Sequence, residues 1–132
     1  MSKQNLAKNK FHTGYNCAQS VLVSFVPQLN IDENTALQIS SGFGAGMGRT
    51  QKTCGALTGA YMALSLKYGK QHPNDEFSED KVVELIQDFT NKFQEEHGFT
   101  NCRDLLKVDL NTEEGQLSFT KKTSITKYAP IA

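Results

Sequence analysis

The side chains with most chemistry to offer are the thiols of Cys17, Cys54 and Cys102. Each sits directly after a residue type that caps helices well (Asn16, Thr53 and Asn101), and each begins a helical pattern. The spacing predicts all three thiols in the first turn of a helix, where unpaired N–H groups and the helix dipole favour an anion. Thiolate is the form that attacks disulfides and binds metals. A helix terminus alone contributes roughly 0.3–1 kcal/mol, well under one pKa unit, so strong activation needs a cation, a metal or another thiol close by. Failing those, a free cysteine is a small buried hydrophobe. No CxxC occurs, so any site must be assembled by the fold from separate helices.

A second feature is GFGAGMGR, residues 42–49, with glycines at alternate positions followed by Arg49. It contains the letters of a dinucleotide fingerprint, but it follows a predicted helix where that motif needs a strand, and no GK[ST] of a P-loop is present. Two readings stay open. The backbone N–H groups, with Arg49 and Lys52, face an anion or the Cys54 thiolate, which makes Gly44, Gly46, Gly48 and Arg49 candidate cofactor-binding residues. Alternatively, the glycines allow a tight helix-to-helix connection that delivers Cys54. His12 lies five residues before Cys17 and reaches it if their helices pack. His72 and His97 read as solvated positions, as do the acidic pairs at 75–76, 79–80, 95–96 and 113–114, and no GxSxG elbow appears.

The elements that must position these groups read as helices throughout. Asn16 caps a helix with an apolar face of Val21, Leu22, Phe25 and Val26, stopped by Pro27. Asp32 caps a second helix carrying Ala36, Leu37 and Ile39, with Gly42 placed to end it in a left-handed conformation. Residues 54–68 repeat Leu57, Tyr61, Leu64 and Tyr68 at helical steps before Gly69, while Gly55, Gly59 and Ala63 form a face another backbone can approach, in the same chain or in a dimer. Ser78 is expected to open the longest helix, striped by Val82, Leu85, Ile86, Phe89 and Phe93 and ended by Gly98. A short helix from Asn101 to Lys107 follows, then a further short one within 111–132. The expectation is an all-α, single-domain bundle of about five to six helices over residues 1–132, with a glycine-rich interhelical loop.

Composition narrows the function. The 132 residues suit one domain, and fourteen basic against fourteen acidic side chains leave no excess charge for nucleic acid. No apolar run reaches membrane-spanning length, so no membrane partner is expected. The start of the sequence, MSKQNLAKNK, has no signal-type hydrophobic stretch, and three cysteines are an odd count that suits a reducing compartment; both point to the cytoplasm.

Taken together, FHTGYNCAQSVL, SGFGAGMGRTQKTCGALTGAYMALSLKYG and TNCRDLL, spanning residues 11–107, resemble a bacterial family of small redox-active proteins known by its cysteine pattern, C_GCAxxG_C_C. The CGAxxG motif stands here as Cys54-Gly55-Ala56-Leu57-Thr58-Gly59. The resemblance implies a helical protein with four characteristic cysteines that serve thiol redox chemistry or bind a metal or Fe–S cluster, with an oxidoreductase or transporter as partner. Cys17, Cys54 and Cys102 match the first three. The fourth position falls near Ser124, Ile125 and Thr126, where this chain has no cysteine, so a four-thiolate site lacks a ligand unless water, His12 or a second chain supplies it. Haem-containing relatives exist, but no CxxCH is present, so no covalent haem is expected. Three functions are compatible with these residues. One is a thiol-redox or metal-binding protein using Cys17 and Cys54, with Cys102 as third ligand or resolving thiol. The others are an anion-binding module built on the glycine loop, and a structural or oligomerisation domain, for example a homodimer, that has lost its site. Enzymatic turnover is left open.

Overall fold

The computed structural model describes residues 2–107, together with 109 and 112. Its helices are α1 (Lys3–His12), α2 (Cys17–Ser24), α3 (Glu33–Ser40), α4 (Gly55–Tyr68), α5 (Glu76–His97) and α6 (Cys102–Leu106). Among the described residues the only β pairing is a single antiparallel bridge between Thr53 and Asn101. The expected all-α architecture is what forms. The helix expected within 111–132, and the Ser124–Thr126 position, lie outside the described residues.

Local chemistry accounts for most helix ends. Asn16 and Gln19 form a reciprocal capping box on α2, Asp32 caps α3, and Asn101 caps α6. Pro27 closes the α2 segment in a single 3₁₀ turn, and Gly98 ends α5 in the left-handed conformation. Two boundaries differ from expectation. The α5 helix starts at Glu76 because the Asp75 carboxylate accepts the Ser78 N–H (3.1 Å), so Ser78 lies inside the first turn. Gly42 is not left-handed; α3 runs instead into a 3₁₀ turn, Ser41–Phe43.

The α1 helix carries too little apolar periodicity to be read from sequence. Of its residues only Ala7 is buried. Tertiary contacts compensate: α1 packs along α2, Lys10 pairs with Glu33 at 2.6 Å, and the Lys3 ammonium lies 5.6 Å from the Phe25 ring centre.

The α2 helix is central, contacting α1, α3 and α4. Val21 joins Cys54, Ala56, Leu57, Ala60 and Phe93 in one cluster, while Leu22 and Val23 join Ala36 and Ala63 in another; Phe25 packs against both. The small-residue face of α4 is what lets α2 come close. A Cβ placed on Gly59 would lie 2.7 Å from the Ala18 carbonyl oxygen and 3.1 Å from the Val21 Cβ. That face is therefore occupied within the chain. The α5 helix buries Phe93 and half-buries Val82, Leu85 and Ile86, and the Thr90 and Tyr61 hydroxyls share a hydrogen bond that ties it to α4. No helix among the described residues is long and apolar enough to cross a membrane.

Candidate functional site: a cluster of three thiols

The segment between α3 and α4 does the positioning. Ala45, Gly46, Met47, Gly48 and Arg49 are five successive residues with φ between 50° and 74°, so the turn at Gly44–Met47 winds left-handed. Such backbone costs roughly 1–2 kcal/mol for each residue other than glycine, and Ala45, Met47 and Arg49 carry that cost here. Hydrogen bonds hold it: the Gly44 carbonyl accepts from Arg49 (3.1 Å), Ala45 from Gln51 (3.1 Å) and Gly46 from Lys52 (2.9 Å). Gly46 is required by contact as well, since a Cβ there would fall 2.5 Å from the Gln51 Cα.

The same segment then clasps the start of α6. The Cys102 N–H donates to the Lys52 carbonyl (2.7 Å), the Arg103 N–H to the Gln51 carbonyl (3.3 Å), and the Cys54 N–H to the Thr100 carbonyl (2.8 Å). This clasp sets Cys54 beside Cys102. From the other side, α2 brings Cys17 against the start of α4, where a Cβ on Gly55 would lie 2.9 Å from the Cys17 Cβ. Three cysteines far apart in sequence thereby form one cluster, close enough that ionising one opposes ionising another.

Cys17 and Cys102 are first residues of α2 and α6 as the sequence predicts, whereas Cys54 is not in a first turn after a Thr53 cap but is itself the residue before α4, with no side-chain cap bond there. The expected electrostatic consequence does not follow. Burial pushes all three thiols up, with Cys17 raised further by Cys54 and Cys102, and Cys102 pushed to about 12 by burial and then by Cys54. The reason lies in where the helix-terminal donors go. At α6 the N–H groups of Cys102, Arg103 and Asp104 are taken by Lys52, Gln51 and the Asn101 side chain. At α4 the backbone N–H groups of Ala56 and Leu57 oppose the rise of the Cys54 thiol, yet burial outweighs them. Only a weak terminal field is left against desolvation, and desolvation wins.

Access differs among the three. Cys54 and Cys102 are 4% and 6% exposed, whereas Cys17 keeps an edge open to solvent although protein atoms surround most of it. All three are free thiols.

The other candidates do not join this cluster to make a metal site. Among the described residues no group of three or more His, Cys, Asp or Glu side chains is arranged to hold a metal, and His12 is exposed at the end of α1. His72 is exposed and His97 stacks on Phe93 at 4.4 Å between ring centres. In the glycine loop, Gly44 is buried against the Asn16 side chain and Gly46 against the Gln51 and Lys52 backbone, while Gly48, Arg49 and Lys52 are exposed. The two buried glycines thus serve the tight connection.

Two features escaped sequence reading. The N-x-x-Q spacing of Asn16 and Gln19 is a visible capping-box signal, but its reach to other elements is not: Asn16 Nδ2 donates to the Ser41 carbonyl (2.9 Å) and Gln19 Nε2 to the Leu37 carbonyl (3.0 Å). The hydrogen bonds of the clasp between 51–54 and 100–103 join backbone groups, which leave no mark on side-chain identity.

Comparison with curated proteins and with solved structures returned no match. The family described as "Putative redox-active protein (C_GCAxxG_C_C)" matches residues 15–128, which takes in all three cysteines, the left-handed turn and the clasp. By that match over most of its length, the chain belongs to the C_GCAxxG_C_C family.

Proposed function

We propose that this protein is a thiol–disulfide redox protein whose working pair is Cys17 and Cys54, with Cys102 as the third thiol of the same cluster. The observation that carries this reading is the convergence of three free thiols from three separate segments, of which Cys17 belongs to the residue least covered by the rest of the chain. Family membership is consistent with it. In the proposed step, Cys17 loses its proton and attacks a small disulfide, forming a mixed disulfide and releasing one thiol. Cys54, whose rise the Ala56 and Leu57 N–H groups oppose, then attacks the Cys17 sulfur and releases the second thiol. Two protein thiols are oxidised, the disulfide is reduced to two thiols, and two protons follow the leaving groups. With every thiol pKa raised, oxidation is slow at neutral pH and accelerates in alkali. Among the described residues no three or more His, Cys, Asp or Glu side chains are grouped to hold a metal, and the proposed step uses the thiols alone.

The test is equilibration of the reduced full chain with glutathione couples, acid quenching and peptide mapping. A reversible Cys17–Cys54 disulfide is expected. Thiols that remain fully reduced in oxidised glutathione at pH 9 overturn the reading. So does one tightly held metal per chain that protects the thiols, in protein purified without oxygen or chelator.

A further inference from the structure

Resting on the Cys17–Cys54 reading, we infer that Asn16 is a positioning residue for that pair, acting through its side-chain amide and beyond its role as a helix cap. The capping duty is discharged by Oδ1, which accepts the Gln19 N–H (2.9 Å), while the Asn16 N–H donates to Gln19 Oε1 (3.0 Å). The amide nitrogen does something a cap does not require. It reaches across to donate to the Ser41 carbonyl (2.9 Å), at the start of the segment that leads through the left-handed turn to Cys54. Gly44 exists as glycine to admit that side chain, since a Cβ there would lie 2.6 Å from both Cβ and Cγ of Asn16. Its φ of −71° lies outside the left-handed region, so contact and not backbone freedom is what excludes a larger residue.

Asn16 is therefore a two-sided bracket. One side fixes the first turn of α2, whose first residue is Cys17; the other fixes the root of the loop that carries Cys54. Gln19 repeats the pattern one turn on, with its amide on the Leu37 carbonyl of α3. The two thiols sit on elements whose relative placement these amides hold. Loosening the bracket lowers the effective concentration of one thiol at the other.

The discriminating variants are Asn16→Ser and Asn16→Asp, because serine and aspartate cap helices about as well as asparagine yet cannot donate to the Ser41 carbonyl from that position. The full-length wild type and variants are equilibrated with oxidised and reduced glutathione, and the equilibrium constant for the Cys17–Cys54 disulfide is read by peptide mapping. Helix content and the alkylation rate of Cys17 are measured in parallel. The expected result is a fall in the disulfide's equilibrium constant of about 3–10-fold in both variants, the equivalent of one lost hydrogen bond, with helix content unchanged and Asn16→Ser alkylated at the wild-type rate. An equilibrium constant equal to wild type in both variants, with the wild-type disulfide present, overturns the bracket and leaves the redox reading standing. Absence of the disulfide in the wild type overturns the redox reading itself.

Discussion

Three glycine-to-alanine substitutions separate two physical reasons for glycine and supply a control. At Gly59, inside α4, alanine has the higher helix propensity and would gain about 1 kcal/mol in an open helix. The added Cβ instead meets the Ala18 carbonyl oxygen at 2.7 Å, a backbone atom on a packed helix that cannot swing aside. Overpacking typically costs about 1–3 kcal/mol, and a clash with rigid backbone belongs in the upper part of that range, about 2–3 kcal/mol, so after the propensity gain the net expectation for Gly59→Ala is a loss of about 1–2 kcal/mol. For a domain of this size that lowers the melting temperature by about 4–8 °C. Gly98 has open space around its Cβ position but φ of +84°, so Gly98→Ala loses about 1 kcal/mol through backbone strain alone. Gly42 has neither constraint: nothing lies within 4 Å and its φ is not positive, so alanine is neutral or stabilises by up to about 1 kcal/mol. Urea and thermal unfolding of the three variants under reducing conditions give the ranking. A Gly59→Ala protein as stable as Gly42→Ala would mean that propensity, unopposed, decides at 59. The close α2–α4 approach, and with it the delivery of Cys17 to Cys54, would then be refuted.

Stability should fall in alkali through the cluster: an unfolded thiol titrates near about 8.5 while folded Cys102 holds its proton to about 12, so between those values the folded state binds more protons and loses stability at up to about 1.4 kcal/mol per pH unit. Urea midpoints from pH 7 to 10 should therefore drop more steeply for wild type than for Cys102→Ala, whereas parallel slopes would show that the thiol is not held neutral by folding. Arg49→Gly removes a left-handed residue with an exposed side chain, and the relief of about 1–2 kcal/mol exceeds the added flexibility of the unfolded chain, giving a gain of up to about 1 kcal/mol in urea unfolding; a clear loss would contradict the left-handed turn. Glu33→Gln breaks the pair with Lys10, and because Glu33 is about half exposed the loss should stay below about 1 kcal/mol and vanish in high salt; a larger, salt-independent loss would mean that α1 depends on this contact alone.

Sequence alone determined what is local here. Asn16, Asp32 and Asn101 mark helix starts because a short polar side chain can satisfy an N–H two or three residues on, and that geometry needs no tertiary partner. The helical placement of Cys17 and Cys102 follows from the caps at Asn16 and Asn101, and the close-packing role of Gly55 and Gly59 from their spacing of four. Tertiary structure decided the rest. It made α1 a helix despite its polar sequence, by giving it α2 to lie on and Glu33 to pair with. It wound residues 45–49 left-handed, which the backbone partners at 44–52, the Thr50 hydroxyl on the Gly46 and Met47 carbonyls and the clasp on α6 make tolerable. It also reversed the electrostatics of the thiols. Spacing places a thiol at a helix start, but burial and competing backbone acceptors decide whether the helix field reaches it, and those are contributed by residues up to fifty positions away, such as the Lys52 carbonyl on the Cys102 N–H.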